Sequence, residues 1–322
     1  MKNIRLNTLF LEMLQKKFPN KAELVEDLSY LLDMDKVSVY RRLREEVRFT
    51  VDEMGFIAKR YAVSLDELLD IASDREHKTL KFEFAHLIDK RGILYDKLED
   101  EMIYSKQFTV GEDSELGGAI GILTRPFFMP YKELTRYFLF KSGRYYTDLE
   151  EFRRFETVTI DERLQRYWEK ERIGLTHFNK TYYIWDSQII PNLVRDLKYY
   201  ESIDLISKEE NRGIKEDILR MLDKLEQIAI GGKHPETGNK FELYTASMNI
   251  NTTHTYVRSG ADWGYYLSVY VIRTMFTFDP KMCMNMKHWI GTQKASSILI
   301  SESGEKERML FFNRQRQAVE ML

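Results

Sequence analysis

Asp35-Lys36-Val37-Ser38-Val39-Tyr40-Arg41-Arg42-Leu43-Arg44 is the stretch on which the reading of this 322-residue chain turns. Val39 and Leu43 stand four apart and Val47 continues the spacing, which predicts a helix with one apolar face and Tyr40 beside it. At about 100° per residue, the opposite face carries Val37, Ser38, Arg41, Arg42, Arg44, Glu45 and Arg48. From Lys36 to Arg48 the chain holds five Lys/Arg against two Glu, a local positive excess in a protein whose net charge is -2. Asp35 is a good N-cap, because a short side-chain carboxylate can accept the unsatisfied amides of the first turn.

Helical stripes flank this segment on both sides. Leu6, Leu9, Phe10, Met13, Leu14 and Phe18 recur at three- and four-residue spacing, and Pro19-Asn20 ends that helix. Asn20 can cap a second helix, with Glu23 in the capping-box position, and Leu24, Val25, Leu28, Leu31 and Leu32 form its stripe. Asp33-Met34-Asp35 breaks it, and Asp33 tolerates the left-handed backbone of a tight turn. Thr50 can cap a fourth helix containing Met54, Ile57, Ala58 and Tyr61, and Ser64 a fifth, Leu65 to Ile71. Residues 1–73 therefore read as an all-α module of five short helices.

The run from Ala22-Glu23-Leu24 through Leu69, with Tyr40-Arg41-Arg42-Leu43-Arg44 at its centre and Tyr61-Ala62-Val63-Ser64-Leu65-Asp66-Glu67-Leu68 at its close, resembles phage-repressor-like (Cro/cI, Xre-type) helix-turn-helix domains. It looks closest to the BetR-like variants that precede regulatory domains in bacterial proteins. The resemblance implies that the third helix enters the major groove of double-stranded DNA with its N-terminal half against base edges. Ser38 and Arg41 are then the base-reading residues, since arginine matches guanine through a two-pronged contact. Lys36, Arg42, Arg44 and Arg48 are expected to clamp phosphates, with Lys21 at the start of the second helix doing the same. Two departures stand out: Asp33 occupies the family's usual turn glycine, and Glu45 replaces a second glycine often found after the recognition helix. Glu45 also places a negative charge on the expected DNA face.

Ser73-Asp74-Arg75-Glu76-His77-Lys78 is a polar junction, and residues 79–322 form the second domain, with a further division expected near residue 235. Alternating Leu80, Phe82 and Phe84 predict a strand. The spacing turns helical from Gly92 to about Lys106. Gly117-Gly118-Ala119-Ile120-Gly121 lacks the order of a nucleotide-binding loop and reads as a glycine-rich turn beside a strand. Pro130 to Lys141 reads as a helix, Phe155 to Ile160 as a short strand, and Asp161 as the cap of the next helix. Tyr182-Tyr183-Ile184-Trp185 is an aromatic core segment, or else a pocket wall or dimer face. Gln188 to Ile203 and Lys208 to Ile230 predict a helical hairpin closed by Gly231-Gly232. Strands follow at 241–250, 252–259 and 265–278, with a turn at Gly260-Ala261-Asp262. Next come a helix from Pro280, a strand at 296–301 and a closing helix from Gly304. Hairpins rather than regular β-α-β alternation make this an α+β domain with antiparallel strands.

The remaining chemistry is sparse. Six histidines are scattered without metal-ligand spacing, and no nucleophile elbow, zinc-protease or kinase motif occurs. Cys283 is the sole cysteine and reads as a small buried hydrophobe, with His288 the only neighbour that can activate it. Ser301-Glu302-Ser303-Gly304-Glu305 reads as an ordinary cap rather than an anion cradle. No apolar run is long enough to cross a bilayer and no signal core follows the N-terminus, so the expected location is the cytoplasm. The expectation is a bacterial transcription regulator and not an enzyme, needing no cofactor. Its C-terminal domain would dimerise, sense an effector, or both. The alternatives are an adaptor whose helical module binds a protein, and an enzyme with a DNA-binding appendage.

Overall fold

A computed structural model of the chain describes residues 6–18, 20–61, 63, 65, 68–69, 82–86, 88–89, 92–93, 111–270 and 273–322. The chain divides into two units, Met1–Lys81 and Phe82–Leu322. Most of the expected fifth helix, the junction at 73–78 and the bulk of the expected helix at 92–106 lie outside the described residues.

The first unit contains α1 (Leu6–Lys17), α2 (Lys21–Leu31), α3 (Lys36–Leu43) and α4 (Val51–Tyr61). Each apolar stripe turns inward: Phe10 and Leu14, Leu24, Val25 and Leu28, Val39 and Leu43, and Met54, Ile57 and Ala58 share one core. Helices this short are marginal alone, so packing and caps hold them. Asn20 accepts from the Ala22 amide at 3.0 Å. Thr50 and Glu53 form a reciprocal capping box, Thr50 N–H to Glu53 Oε2 at 2.8 Å and Glu53 N–H to Thr50 Oγ1 at 3.2 Å.

The second unit is built on one eight-stranded sheet in the order β1-β9-β8-β7-β4-β5-β6-β10. The strands are β1 (Glu83–His86), β4 (Glu115–Ile120), β5 (Lys180–Trp185), β6 (Lys240–Thr245), β7 (Thr253–Ser259), β8 (Asp262–Tyr270), β9 (Arg273–Thr277) and β10 (Ile298–Leu299). Strands β2 (Ile88–Asp89) and β3 (Gly92–Ile93) form a separate ladder, so the expected helix does not begin at Gly92. The helices are α5 (Arg125–Phe128), α6 (Lys132–Tyr146), α7 (Glu162–Thr176), α8 (Ile189–Ser202), α9 (Lys208–Gly231), α10 (Pro280–Ala295) and α11 (Glu305–Glu320).

The antiparallel expectation holds only for part of this sheet. Strands β4, β5 and β6 run parallel, joined by crossovers through α5–α7 and then α8–α9. The sheet is therefore mixed, and strands from both sides of residue 235 belong to it. Three other expectations are corrected. Residues 155–157 form a 3-10 turn rather than a strand. The expected strand 265–278 is divided between β8 and β9, which pair antiparallel. Gly117 to Ile120 of the glycine run lie inside β4, the strand between β5 and β7, and Gly121 follows directly after it.

Side-chain volume explains that last correction. Gly117 pairs with both Tyr182 and Tyr256, and a Cβ there would meet their rings at 2.5 Å. The two hydroxyls sit 3.2 Å apart above it. Strand β5 is buried from Thr181 to Trp185, with aromatic side chains on both faces, because the sheet is covered on both sides. Tyr183 and Trp185 belong to the large core with α5–α9 and α11, whereas Tyr182 and Ile184 pack with Tyr256 and Ile290 beneath α10. Helix α10 is pinned by Lys287 on Glu115 and by Lys294 on Glu242, the latter 2.6 Å apart. Burial works to raise Glu242, but the hydrogen bonds and charges of the surrounding lysines outweigh it and hold its carboxyl at about 2.

Gly121 is a demanding position, because a Cβ would lie 1.9 Å from the Ile250 carbonyl oxygen. Gly121→Ala is expected to destabilise the C-terminal unit by about 3 kcal/mol, since neither backbone segment can swing aside. All four tryptophans fall in this unit, so urea unfolding followed by their fluorescence reads it directly. Gly174→Ala, on α7 with open space at the Cβ position, is the control and should be neutral or slightly stabilising.

Candidate nucleic-acid interface

Helix α3 is held at both ends. Asp35 caps it by accepting from the Ser38 amide at 2.9 Å and from the Ser38 hydroxyl at 2.7 Å. Those bonds hold the Asp35 carboxyl below its ordinary range. The link from α2 is closed by Ser29, whose hydroxyl donates to the Met34 carbonyl at 2.6 Å, and by Asp33 in the left-handed region at φ 47°.

The helix ends at Leu43, five residues earlier than the spacing suggests at Arg48, and Arg44 is its C-cap. Glu45 adopts φ 61°, a left-handed conformation that terminates helices and that glycine adopts most easily. Helix α1 fixes this loop: Thr8 Oγ1 donates to Glu45 Oε2 at 2.8 Å, and Asn7 Oδ1 accepts from the Phe49 amide at 3.1 Å. Glu45 is thus tied to α1, and the acid standing by the arginines is Glu46. Its carboxylate lies 3.6 Å from Arg41 and 3.8 Å from Arg44.

The seven basic and polar residues singled out from sequence do not form one set. Arg41 projects outward, opposite Val39 and Leu43, with 57% of its side chain exposed. Arg44 and Lys36 are also exposed, Arg44 with its guanidinium 5.9 Å above the Tyr40 ring and Lys36 with Nζ 3.4 Å from Glu26. Arg48 is exposed in the loop beyond the helix, and Lys21 is exposed in the first turn of α2. Ser38 is half-buried, with its hydroxyl given to Asp35.

Arg42 is different. Its Nη2 and Nε reach the two oxygens of Glu53 at 2.7 Å and 3.2 Å, and only 18% of the side chain is exposed. A third bond runs from Nη1 to the Ser38 carbonyl at 3.4 Å. Burial works to raise Glu53, but the Arg42 hydrogen bonds and charge and the Thr50 amide prevail, and its carboxyl lies below the ordinary value. The pair locks α3 to α4.

Two further side chains stand on the outward face beside these residues. Val37 is 69% exposed and Tyr40 is exposed beside Arg44. An apolar β-branched side chain facing water on a basic helix is a group that could meet a thymine methyl if this face met DNA.

In the second unit, the described residues hold no group of three or more His, Cys, Asp or Glu placed to bind a metal. Cys283 is buried, donates to the Thr277 carbonyl at 3.6 Å, and burial pushes its thiol up to about 12. Arg308 fills the loop before α11, donating to the carbonyls of Ile300 and Glu302 at 3.1 Å and 3.0 Å. No described helix is long and apolar enough to cross a membrane. Comparison of the chain with protein families, curated proteins and solved structures finds no match.

Proposed function

We propose that the protein is a DNA-binding transcription regulator in which α2 and α3 act as a helix-turn-helix and α3 reads the major groove. The observation that carries this reading is the division of labour on α3. Asp35, Arg42 and the apolar pair fix the helix, while Val37, Arg41 and Arg44 face outward. A rigid, cationic, solvent-facing helix of two turns suits a groove that admits one helix. Arg41 and Val37 are the base-reading residues of this proposal, and Lys21, Lys36, Arg44 and Arg48 supply the phosphate contacts. Ser38 and Arg42 serve as positioning residues.

One module buries too little surface for tight specific binding, so a two-fold dimer reading half-sites about 34 Å apart completes the proposal. The C-terminal unit supplies the dimer contact, the effector response, or both.

A protein-binding adaptor is the second reading, and the exposure of Tyr30, Val51 and Phe56 on the helical unit favours it. Random-sequence duplex DNA separates the two. Four phosphate contacts per chain imply a roughly hundred-fold loss of affinity between about 50 and 200 mM salt. Glu46→Gln removes the acid beside Arg41 and Arg44 and should tighten binding about two- to five-fold. Binding that ignores salt, or no binding, supports the adaptor instead.

A further inference from the structure

The C-terminal ends of α6 and α8 and the 3-10 turn at Glu150–Phe152 border a half-open cavity of about 510 Å³. That volume lies within the range of small-molecule sites, roughly 300–1,000 Å³. Phe152 and Tyr200 form its buried floor. The Phe152 ring lies against Gly143, where a Cβ would come within 2.1 Å of it, so the absence of a side chain at 143 makes room for the floor. Tyr199 leans on Tyr200 with ring centroids 5.5 Å apart.

The rim is unusual for a free surface. Tyr145 and Tyr199 are each more than half exposed, and both line this concavity. Two guanidinium groups join them. Arg144 Nη1 donates to the Arg153 carbonyl at 3.0 Å, and Arg153 pairs at 2.8 Å with Glu150. That pair is exposed on both sides, and such pairs exchange partners at little cost. Asp148 is the single acid of the lining. Flat electron-rich rings beside two arginines match a ligand that is itself flat and anionic, stacked on tyrosine with its acid group in a guanidinium fork.

We propose that this cavity binds a small aromatic anion, with Arg144 and Arg153 taking the acid group and Tyr145 and Tyr199 the ring. As the effector site of a regulator it rests on the DNA-binding reading; as a ligand site it stands on its own geometry.

Calorimetric titration of the full chain with naphthoate and with phenyl phosphate tests it, with uncharged naphthalene methanol as the comparison. The expected result is one saturable site per chain for at least one of the two anions, at least about tenfold weaker for the neutral ring. Arg144→Gln, Arg153→Gln and Tyr199→Ala should each weaken anion binding about tenfold, whereas Arg212→Gln, an exposed arginine on α9, should leave it unchanged. The ratio of the two anions identifies the acid group. Failure of both anions to saturate a site, or equal binding by all variants, overturns the proposal. No DNA is present in the titration, so a failed titration beside intact salt-dependent DNA binding rejects the cavity and leaves the regulator reading standing.

Discussion

Arg41→Ala should lower affinity for the preferred duplex by about ten- to a hundred-fold and relax base choice at one position, the 1–3 kcal/mol of a two-pronged guanine contact. The preferred duplex is the one that the wild-type protein selects from a random pool. Arg41 sits opposite the buried Val39 and Leu43, and its ion-pair partner, Glu46, is an exposed residue 3.6 Å away. Removing the side chain should therefore leave folding untouched. Arg41→Lys should not restore base choice, since an ammonium lacks the planar fork. Arg44→Ala and Arg48→Ala provide the contrast: each should weaken binding alike on all sequences and lower the salt slope by about one unit. Loss at Arg41 that matches loss at Arg48, with base preference unaltered, would count against α3 as the reading helix.

That contrast could only be drawn partly from sequence, and the reason is physical. Caps and stripes are local, so Asn20, Asp35, Thr50 and the apolar faces of α1 to α4 could be read from spacing alone. The end of α3 could not. Spacing carries the helix to Arg48, but Thr8 and Asn7 of α1 hold residues 45 and 49, and Glu45 takes the left-handed conformation there. Periodicity has no term for a bond between residues 37 apart in sequence.

The same limit hid the job of Arg42. Arg41 and Arg42 are chemically identical neighbours, and only the approach of α4 decides which one is shielded in a tight pair with Glu53 while the other stays exposed beside Glu46. In the second unit, the parallel β4-β5-β6 core was obscured because β4 carries glycines where Tyr182 and Tyr256 need space. A glycine run reads as a turn when the rings that require it lie more than sixty residues away in sequence.

Arg42→Ala should therefore act on stability where Arg41→Ala acts on DNA. Both partners of the Arg42–Glu53 pair are more than four-fifths shielded, and the contact is bidentate. Breaking a pair of this kind costs about 2 kcal/mol once the remaining solvent access is allowed for. Amide exchange in peptides covering residues 36–61 of the full chain should then speed up roughly thirty-fold. Glu53→Ala should cost as much or more, because it also removes the capping-box arm on Thr50. In a double-mutant cycle the two changes should couple by about 1 kcal/mol or more.

The pair also sets an acid limit. The Glu53 carboxyl titrates lower in the folded unit than in the unfolded chain. Its contribution is full above the unfolded carboxylate range, about pH 4 to 5, and is lost as pH falls through the folded value. Wild-type exchange in these peptides should accelerate in that window by more than intrinsic chemistry accounts for, and Arg42→Met should blunt the effect. Additive changes in the cycle, or the same acid response in Arg42→Met, would mean that the contact does not hold α3 in place. Arg42 would then return to the phosphate role that its sequence position first suggested.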